Sequence, residues 1–307
     1  MNNSGFIRII TLTGDLMATL AIDIGGTKIS AAIVGQDRKL TMIRLLPTPH
    51  SKSIHDLNIA LSQLLAPLIP FASRYAVAST GIIEHGVLTA LNPSNLGGLA
   101  LYPLEKYLND LTGLPGVVIN DAQAAAWAEY SVVHEKIKSM VYITVSTGVG
   151  GGIIHDRKLL SSETGLAGHI GHLISDINGP LCGCGRRGCV EAVASGTAIM
   201  NSAQKELAGH STKDIFLRAA KGDPEALKLK ERSTQAIAGL IADLKMLTDC
   251  QLVVIGGSVG LARGYISSVS AHLSKYPEVY YVPVAPAVYR HNSGMLGATM
   301  LAETRIK

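Results

Sequence analysis

The sequence predicts an α/β fold with two lobes around a central cleft. Segments with the apolar character of strands alternate along the chain with segments that have the apolar spacing of helices. Two segments about 120 residues apart share one arrangement, a strand, a glycine-containing turn and a second strand, which suggests a duplicated architecture. The chain has 307 residues, of which 47% are hydrophobic and 16% charged, so it is long enough for two domains with sizeable cores.

The predicted elements follow from apolar spacing and from helix-breaking residues such as Pro70. The two glycine-containing hairpins are LAIDIGGTKISAAIV, residues 20–34, and VYITVSTGVGGGII, residues 141–154. The other predicted elements are a helix over 53–69, strands over 75–79 and 116–119, helices over 121–130, 191–207 and 223–248, a strand over 252–255 and a helix over 262–275. Gly256 and Gly257 follow the last strand, in the order typical of a turn that faces a nucleotide.

Composition and charge exclude several classes of function. The formal net charge is +4, without long runs of like charge, and aromatic residues make up only 5% of the chain. We therefore expect neither a nucleic acid nor a membrane surface as partner. No stretch of about 18 apolar residues is free of breakers, and the closest candidate, 141–154, is interrupted by glycines.

The first 16 residues, MNNSGFIRIITLTGDL, resemble a weak signal peptide. However, Asp15 follows the short apolar run, and no A-x-A-like cleavage site is present. A disordered leader or an upstream start explains the segment better, because Met17 opens MATLAIDIGG. The sequence thus predicts a cytoplasmic protein.

The two glycine-rich turns are candidate phosphate sites. In DIGGTK, a carboxylate ends a strand, Gly25 and Gly26 can turn backbone N–H groups toward a phosphate, and Thr27 and Lys28 add a hydroxyl and a positive charge. Taken alone, the hexapeptide could equally be an ordinary hairpin turn with Asp23 as turn former. The second segment, VSTGVGGG over 145–152, repeats the donors and favours a functional role. The chain contains neither a P-loop motif nor the motifs of protein kinases.

A cluster of cysteines predicts a structural metal site in a reducing compartment. Cys182, Cys184 and Cys189 lie within eight residues, and a histidine upstream would complete a tetrahedral Cys₃His zinc site. Spacing does not decide between His169 and His172. Three free buried thiols are the alternative, and a zinc knuckle for nucleic acid is disfavoured because the loop lacks aromatic residues.

Asn120 and Asp121 follow the strand predicted over 116–119. Acidic residues at the carboxyl ends of strands in α/β folds lie where ligands bind, so Asp121 could accept a proton from a substrate hydroxyl that Asn120 orients. In isolation, a plain helix cap explains the pair more simply. Glu191, just after the cysteines, is in isolation more typical of a solvated helix residue.

At these residues the sequence resembles the ROK family of sugar kinases over essentially the whole chain from Met17. The resemblance is carried by DIGGTK, the ND of INDAQAAAWAE, STGVGGG, GHIGH, CGCGRRGCVEAVASG and VIGGSV. It implies an actin-like ATPase (ribonuclease H-like) fold. The implied units are a leader over 1–16, an N-terminal lobe over 17–119 plus 293–307, and a C-terminal lobe over 120–292 with a zinc loop over 169–191. It also implies a homodimer.

The resemblance further implies transfer of the γ-phosphoryl group of ATP, with Mg²⁺, to the 6-hydroxyl of a hexose. It assigns the base to Asp121. It implies that the sugar is held by Gly81, Asn120, Asp121, His172 and Glu191. The implied zinc ligands are His172, Cys182, Cys184 and Cys189. The implied contacts of ATP and Mg²⁺ are Ala21, Ile22, Asp23, Ile24, Gly25, Gly26, Thr27, Lys28, Thr147, Gly148, Val149, Gly150, Gly151, Gly152, Gly256 and Gly257.

One position departs from the family pattern. Many members have a sugar-contacting glutamate in GEIGH, where this chain has His169, which we also expect to contact the sugar. A neutral imidazole brings no negative charge, which argues against a glucose site and fits a sugar with another substituent at C2, such as an axial N-acetyl group. LNPSNLGGL and AGHIGH resemble the branch of the family that phosphorylates N-acetylmannosamine in the breakdown of sialic acid.

Two alternatives belong to the same family. One is another hexose kinase, such as a glucokinase or a fructokinase. The other is a sugar-responsive repressor, which we disfavour because only 22 residues precede Asp23, too few for a DNA-reading domain, and because the chain lacks a basic stripe.

Overall fold

The computed structural model describes residues 18–49, 51, 53–93 and 96–306. The predicted leader, 1–16, lies outside the described residues. Two five-stranded sheets and a two-stranded sheet contain the strands. The strands are β1 (Thr19–Ile24), β2 (Lys28–Val34), β3 (Leu40–Pro47), β4 (Arg74–Ser79), β5 (Ile82–Glu84), β6 (Val87–Thr89), β7 (Gly116–Asn120), β8 (Met140–Val145), β9 (Val149–His155), β10 (Lys158–Leu159), β11 (Leu252–Gly256) and β12 (Val284–Pro286). The α-helices are α1 (Ile54–Leu65), α2 (Leu104–Thr112), α3 (Asp121–Tyr130), α4 (Val190–Ala194), α5 (Gly196–Ser202), α6 (Thr212–Ala220), α7 (Pro224–Thr248), α8 (Tyr265–Leu273) and α9 (Ser293–Arg305).

The two large sheets share one pattern of strand directions. The first has the order β3-β2-β1-β4-β7 and the second β10-β9-β8-β11-β12. In each sheet, antiparallel pairs form one side (β1 with β2, β8 with β9) and parallel pairs form the other (β1 with β4, β8 with β11). Each predicted glycine turn therefore joins the central strand of its sheet to an antiparallel neighbour. The predicted hairpins at 20–34 and 141–154 are both present.

The parallel strands are buried because helices cover them. β4 is buried at every position, and β1 at every position except Asp23. Strands buried on both faces read as continuous apolar runs, which is why the sequence predicts them without alternation. The edge strand β3 is exposed along most of its length.

Helices α3 and α9 pack closely against each other, and α9 also packs on β4, β1 and β7. The close approach requires glycine at position 297, because a Cβ there would overlap the backbone carbonyl of Ala124. The C-terminal helix therefore completes the first sheet, although it is distant in sequence. The lobe boundaries predicted above stay a prediction.

Three predicted helices have different bounds in the structure. The helix predicted over 191–207 is wrong as a single element: its chain forms α4 and α5, separated at Ser195. Ser195 has extended backbone angles, and its hydroxyl accepts from the Ala198 N–H at 3.0 Å, so it caps a new helix. The helix predicted over 53–69 ends at Leu65, and the one predicted over 262–275 begins at Tyr265.

Within the described part of the chain, no helix has both the length and the apolar character needed to cross a bilayer.

Candidate active site

The first glycine turn lies between β1 and β2. Gly25 N–H donates to the Lys28 carbonyl at 3.0 Å, and the Thr48 hydroxyl donates to the Gly25 carbonyl at 2.7 Å, which braces the turn from outside. Thr27 and Lys28 are exposed, and Gly26 is half-buried. The turn thus offers a hydroxyl, an ammonium group and backbone to a ligand, as the sequence predicts.

Three residues predicted at this site do not face it. Ala21, Ile22 and Ile24 are fully buried, and their strand is paired on both edges, with β2 and with β4. Their side chains pack in the core and fix the strand from which the turn projects. Their predicted contact with ATP stays a prediction.

The second glycine turn lies between β8 and β9. Ser146 N–H donates to the Gly148 carbonyl at 2.9 Å, which closes the turn, and Thr147 is exposed at its tip. Val149 N–H donates to Glu191 Oε2 at 3.1 Å. A side chain at Gly148 would overlap that carboxylate, so glycine is needed here for Glu191 to reach the turn.

The glycines that follow this turn serve packing. Gly151 and Gly152 are buried. A Cβ at Gly151 would overlap the Ile170 side chain, and one at Gly152 would approach Ala126 within 2.5 Å. The space beside these two glycines is thus filled by protein, and their predicted contact with ATP stays a prediction. A Cβ at Gly150 would lie 3.0 Å from the Cβ of Ala122, so α3 also approaches this strand closely.

Gly256 and Gly257 end β11 beside the second turn. A Cβ at Gly256 would overlap the Tyr142 hydroxyl. Gly257 has a positive φ of +82°, and a Cβ there would overlap the Val145 carbonyl. The hydroxyls of Ser146 and Ser258 lie 3.1 Å apart and link the two turns. Gly257 is half-buried, whereas Gly256 is buried.

Asn120 joins three parts of the site. Its Oδ1 accepts from the N–H groups of Ala122 at 3.0 Å and Gln123 at 3.2 Å, so it caps α3. Its Nδ2 donates to the Gly81 carbonyl at 3.0 Å. Gly81 has φ +99°, and a Cβ there would lie 2.8 Å from the Thr89 carbonyl oxygen, so the turn at 81 requires glycine. Of the two residues considered as the helix cap, Asn120 is the one that caps α3, and Asp121 is the first residue of the helix.

Asp121 and Asp23 form a pair of half-buried carboxylates. Burial raises the pKa of Asp121, against the Ala122 N–H, which donates to Oδ1 at 2.8 Å and favours the ionised form. Burial first, and then the charge of Asp121, raises the pKa of Asp23 from 3.8 to about 7, although Lys28 opposes the shift. The first residue of α3, Asp121, thus lies close enough to Asp23 for the two carboxylates to interact.

His169 and Glu191 lie on the same side as Asp121. Burial lowers the pKa of His169, while the charge of Asp121 acts to raise it. Burial raises the pKa of Glu191, with the Val149 N–H and the charge of His169 opposing the shift. The structure therefore brings Asp121, His169 and Glu191 together, next to Asn120 and Gly81.

A second constellation could hold a metal ion. One ligand atom from each of four residues lies within 4.8 Å of the others, and these residues are His172, Cys182, Cys184 and Cys189. Cys182 Sγ is 3.6 Å from His172 Nδ1, and Cys184 Sγ is 3.7 Å from Cys189 Sγ. Around tetrahedral zinc, bonds of about 2.0–2.3 Å place neighbouring ligand atoms about 3.5–3.8 Å apart. The four residues therefore fit zinc, and the geometry favours His172 over His169 as the histidine ligand.

The sequence analysis missed two buried polar residues, one of them at the site. Gln123 Nε2 donates to the Ala167 carbonyl at 2.5 Å and so ties α3 to the loop that carries His169. Its position one helical turn after Asn120 is the signal that could have revealed it. Glu129 accepts from Val288 N–H, Tyr289 N–H and the Ser293 hydroxyl, at 2.7–2.9 Å. No local pattern marks Glu129, because all its partners are distant in sequence.

Comparison with known proteins identifies the family of this chain. The model of the ROK family matches residues 19–305. The chain is 57% identical to an N-acetylmannosamine kinase of Escherichia coli O6:H1 over 284 residues, which cover 92% of this chain and 98% of that relative. It is 56% identical to an N-acetylmannosamine kinase of Escherichia coli O157:H7 over 287 residues, 94% of this chain and 99% of that relative.

Solved structures are similar over the same range. A ROK hexokinase from Thermus thermophilus matches with a TM-score of 0.81 and 30% identity, over 94% of this chain and 99% of that one. A ROK family glucokinase from Streptomyces griseus, solved with glucose and AMPPNP, matches with a TM-score of 0.81 and 27% identity over the same shares.

Proposed function

This chain belongs to the ROK family, and from that premise we propose that it is an ATP-dependent kinase of N-acetyl-D-mannosamine. The product is N-acetylmannosamine 6-phosphate. The observation that carries the proposal is the 56–57% identity, over 92–94% of the chain, to relatives named as kinases of that sugar. In this proposal the sugar binds beside Asp121, near the side chains of His169 and Glu191.

Phosphoryl transfer requires a protein mainly to align the reactants and to stabilise charge, and different residues of the site have these roles. The Asp121 carboxylate accepts the proton of the sugar 6-hydroxyl. Its raised pKa suits a base, because a base works best when its pKa approaches the working pH. Asn120 holds Asp121 at the start of α3, and the turns around Gly26 and Gly148 offer donors to the phosphates of ATP.

Two metal ions belong to the proposal. The half-buried Asp23 would hold Mg²⁺, directly or through water, because carboxylate oxygens are its preferred protein ligands. When bound, Mg²⁺ supplies positive charge to the phosphates. His172 and the three cysteines would hold zinc, which supplies a structural cross-link with no open position. Glu191 follows Cys189 by two residues, so the cross-linked loop positions the carboxylate that contacts Val149.

A sugar panel tests the proposal. Formation of ADP is followed in a coupled assay with N-acetylmannosamine, N-acetylglucosamine, glucose, mannose and fructose, and phosphorus NMR locates the phosphate on the product. We expect the highest kcat/KM for N-acetylmannosamine and phosphate on O6. A higher kcat/KM for glucose or fructose would establish the other hexose kinase and reject this assignment.

The proposal also includes a homodimer and a cytoplasmic location. Both come from the sequence analysis and stay predictions. Sedimentation velocity tests the first, with a mass near twice that of one chain as the expected result. Fractionation of cells that express the native gene tests the second.

A further inference from the structure

The imidazole of His169 has one ring nitrogen with a protein partner and one without. His169 directly precedes the 3₁₀ helix Ile170–His172. Nδ1 lies 3.2 Å from the carbonyl oxygen of Leu166. A carbonyl oxygen can only accept a hydrogen bond, so Nδ1 carries the proton in this contact. In the neutral ring, Nε2 is then left with a lone pair and acts as an acceptor only.

Nε2 is buried and has no hydrogen-bond partner among the residues that the structure describes. The Gly81 carbonyl lies near this ring and, as an acceptor, favours its protonated form. It already accepts the Asn120 amide at 3.0 Å, and it does not meet hydrogen-bond geometry with Nε2. Buried polar atoms in folded proteins are nearly always paired, so an unpaired one in a candidate site indicates a ligand atom. That atom must be a donor.

The side chains around His169 indicate which kind of donor group on a ligand would pair with Nε2. Asp121 and Glu191 both interact with His169 through their charges, so the ring lies near two of the side chains that would surround the sugar. These two carboxylates, when ionised, accept hydrogen bonds only, and sugar hydroxyls can satisfy them. An amide N–H is a donor that cannot accept, and it pairs with a neutral acceptor without the added desolvation of a third carboxylate.

We propose that His169 Nε2 accepts a hydrogen bond from the amide N–H at C2 of a 2-acetamido sugar and thereby selects that substituent. The inference rests on the proposed function, because it takes N-acetylmannosamine as the bound sugar. His169 is then a specificity-determining residue, and its tautomer, set by the Leu166 carbonyl, is what defines the preference.

Kinetics test the contact through the ratio of two substrates. The readout is kcat/KM for N-acetylmannosamine divided by kcat/KM for 2-deoxyglucose, which lacks a donor at C2. His169→Phe keeps a planar ring without an acceptor, and we expect the ratio to fall roughly tenfold or more, because the buried amide N–H is left unpaired. His169→Gln can place an amide oxygen near the former Nε2, so it should recover part of the ratio. An unchanged ratio in His169→Phe overturns the proposal.

Nitrogen NMR on the unmutated protein gives a test that does not depend on how the variants fold. Protein labelled with ¹⁵N-histidine should show an unprotonated Nε2 for His169, and N-acetylmannosamine should move this resonance upfield while 2-deoxyglucose leaves it in place. A proton on Nε2, or equal shifts with both sugars, overturns the proposal. If the wild-type protein does not phosphorylate N-acetylmannosamine, the proposed function itself fails, which is a separate result.

Discussion

Replacing Asp23 by asparagine should stabilise the protein at alkaline pH while removing its activity. The folded protein raises the pKa of Asp23 from 3.8 to about 7, so it holds this proton more tightly than the unfolded chain does. The stability that the protonated form contributes is complete below about pH 3.8 and is lost as the pH rises through about 7. Asparagine carries no charge at any pH in this range, so the variant loses no stability through titration at this position.

The size of the effect follows from the shift. A difference between 3.8 and about 7 corresponds to about 4 kcal/mol in the free energy of unfolding, as an upper limit, once both states are ionised. Asp23→Asn and the wild type should therefore have similar unfolding free energies near pH 4. Near pH 8 the variant should be more stable, by up to about 4 kcal/mol.

The assay is urea unfolding followed by circular dichroism, without nucleotide or divalent cations, at several values between about pH 4 and pH 8. Asp37→Asn is the matched control: Asp37 is fully exposed and its pKa is lowered, chiefly by the Lys39 backbone N–H, so its removal should not stabilise the protein at high pH. A difference between Asp23→Asn and wild type that is constant with pH, or a variant less stable near pH 8, would refute the reasoning. Added Mg²⁺ should stabilise the wild type more than Asp23→Asn.

Three further substitutions test other parts of the site and fold. Asp121→Asn should lower kcat by about 10²–10⁴-fold, with little change in the sugar affinity measured by calorimetry. The amide oxygen can still accept from the Ala122 N–H, but the amide cannot take the proton of the sugar hydroxyl. A near-normal kcat would reject Asp121 as the base. Cys184→Ala should lose bound zinc by atomic absorption and make the loop over 169–191 sensitive to protease, and a metal-free variant with full activity and protease resistance would contradict this. Gly297→Ala should lower the free energy of unfolding by about 1–3 kcal/mol in urea, because its methyl group meets the Ala124 carbonyl, and unchanged stability would show that α3 and α9 can separate freely.

The sequence was most informative where structure is locally encoded. Apolar runs around glycine turns predicted both hairpins, and the strand before Asn120 with the helix from Asp121 is present as predicted. Family membership is confirmed by the match over residues 19–305. The predicted actin-like ATPase fold is confirmed by the similarity to solved ROK sugar kinases at a TM-score of 0.81.

The glycine-rich segments show why site prediction from sequence stops short. A glycine indicates that a side chain is missing, but the sequence does not reveal what occupies the space. At Gly151 and Gly152 it is filled by Ile170 and by α3. At Gly148 it is filled by Glu191, a residue more than forty positions away, whose carboxylate bonds the adjacent Val149 N–H.

A side-chain cap and a set of long-range contacts account for the other differences. The predicted helix is interrupted at Ser195, because the Ser195 hydroxyl caps α5. Local helix preference alone predicts that the helix continues through this residue. In the sequence, Glu129 is an acidic residue near the end of an Ala-rich helix. It is 1% exposed, because three donors from the segment at 288–293 converge on it. Such partners become visible only when the chain is folded.

The position of α9 on the first sheet has a consequence for biosynthesis. During translation, β1, β4 and β7 emerge long before the C-terminal residues that cover them, including Ala298, Leu301 and Ala302. Until the ribosome releases the finished polypeptide, one side of that sheet lacks part of its apolar cover. Nascent chains stalled before α9 should therefore depend on chaperones, and a fragment truncated ahead of Ser293 should accumulate in inclusion bodies.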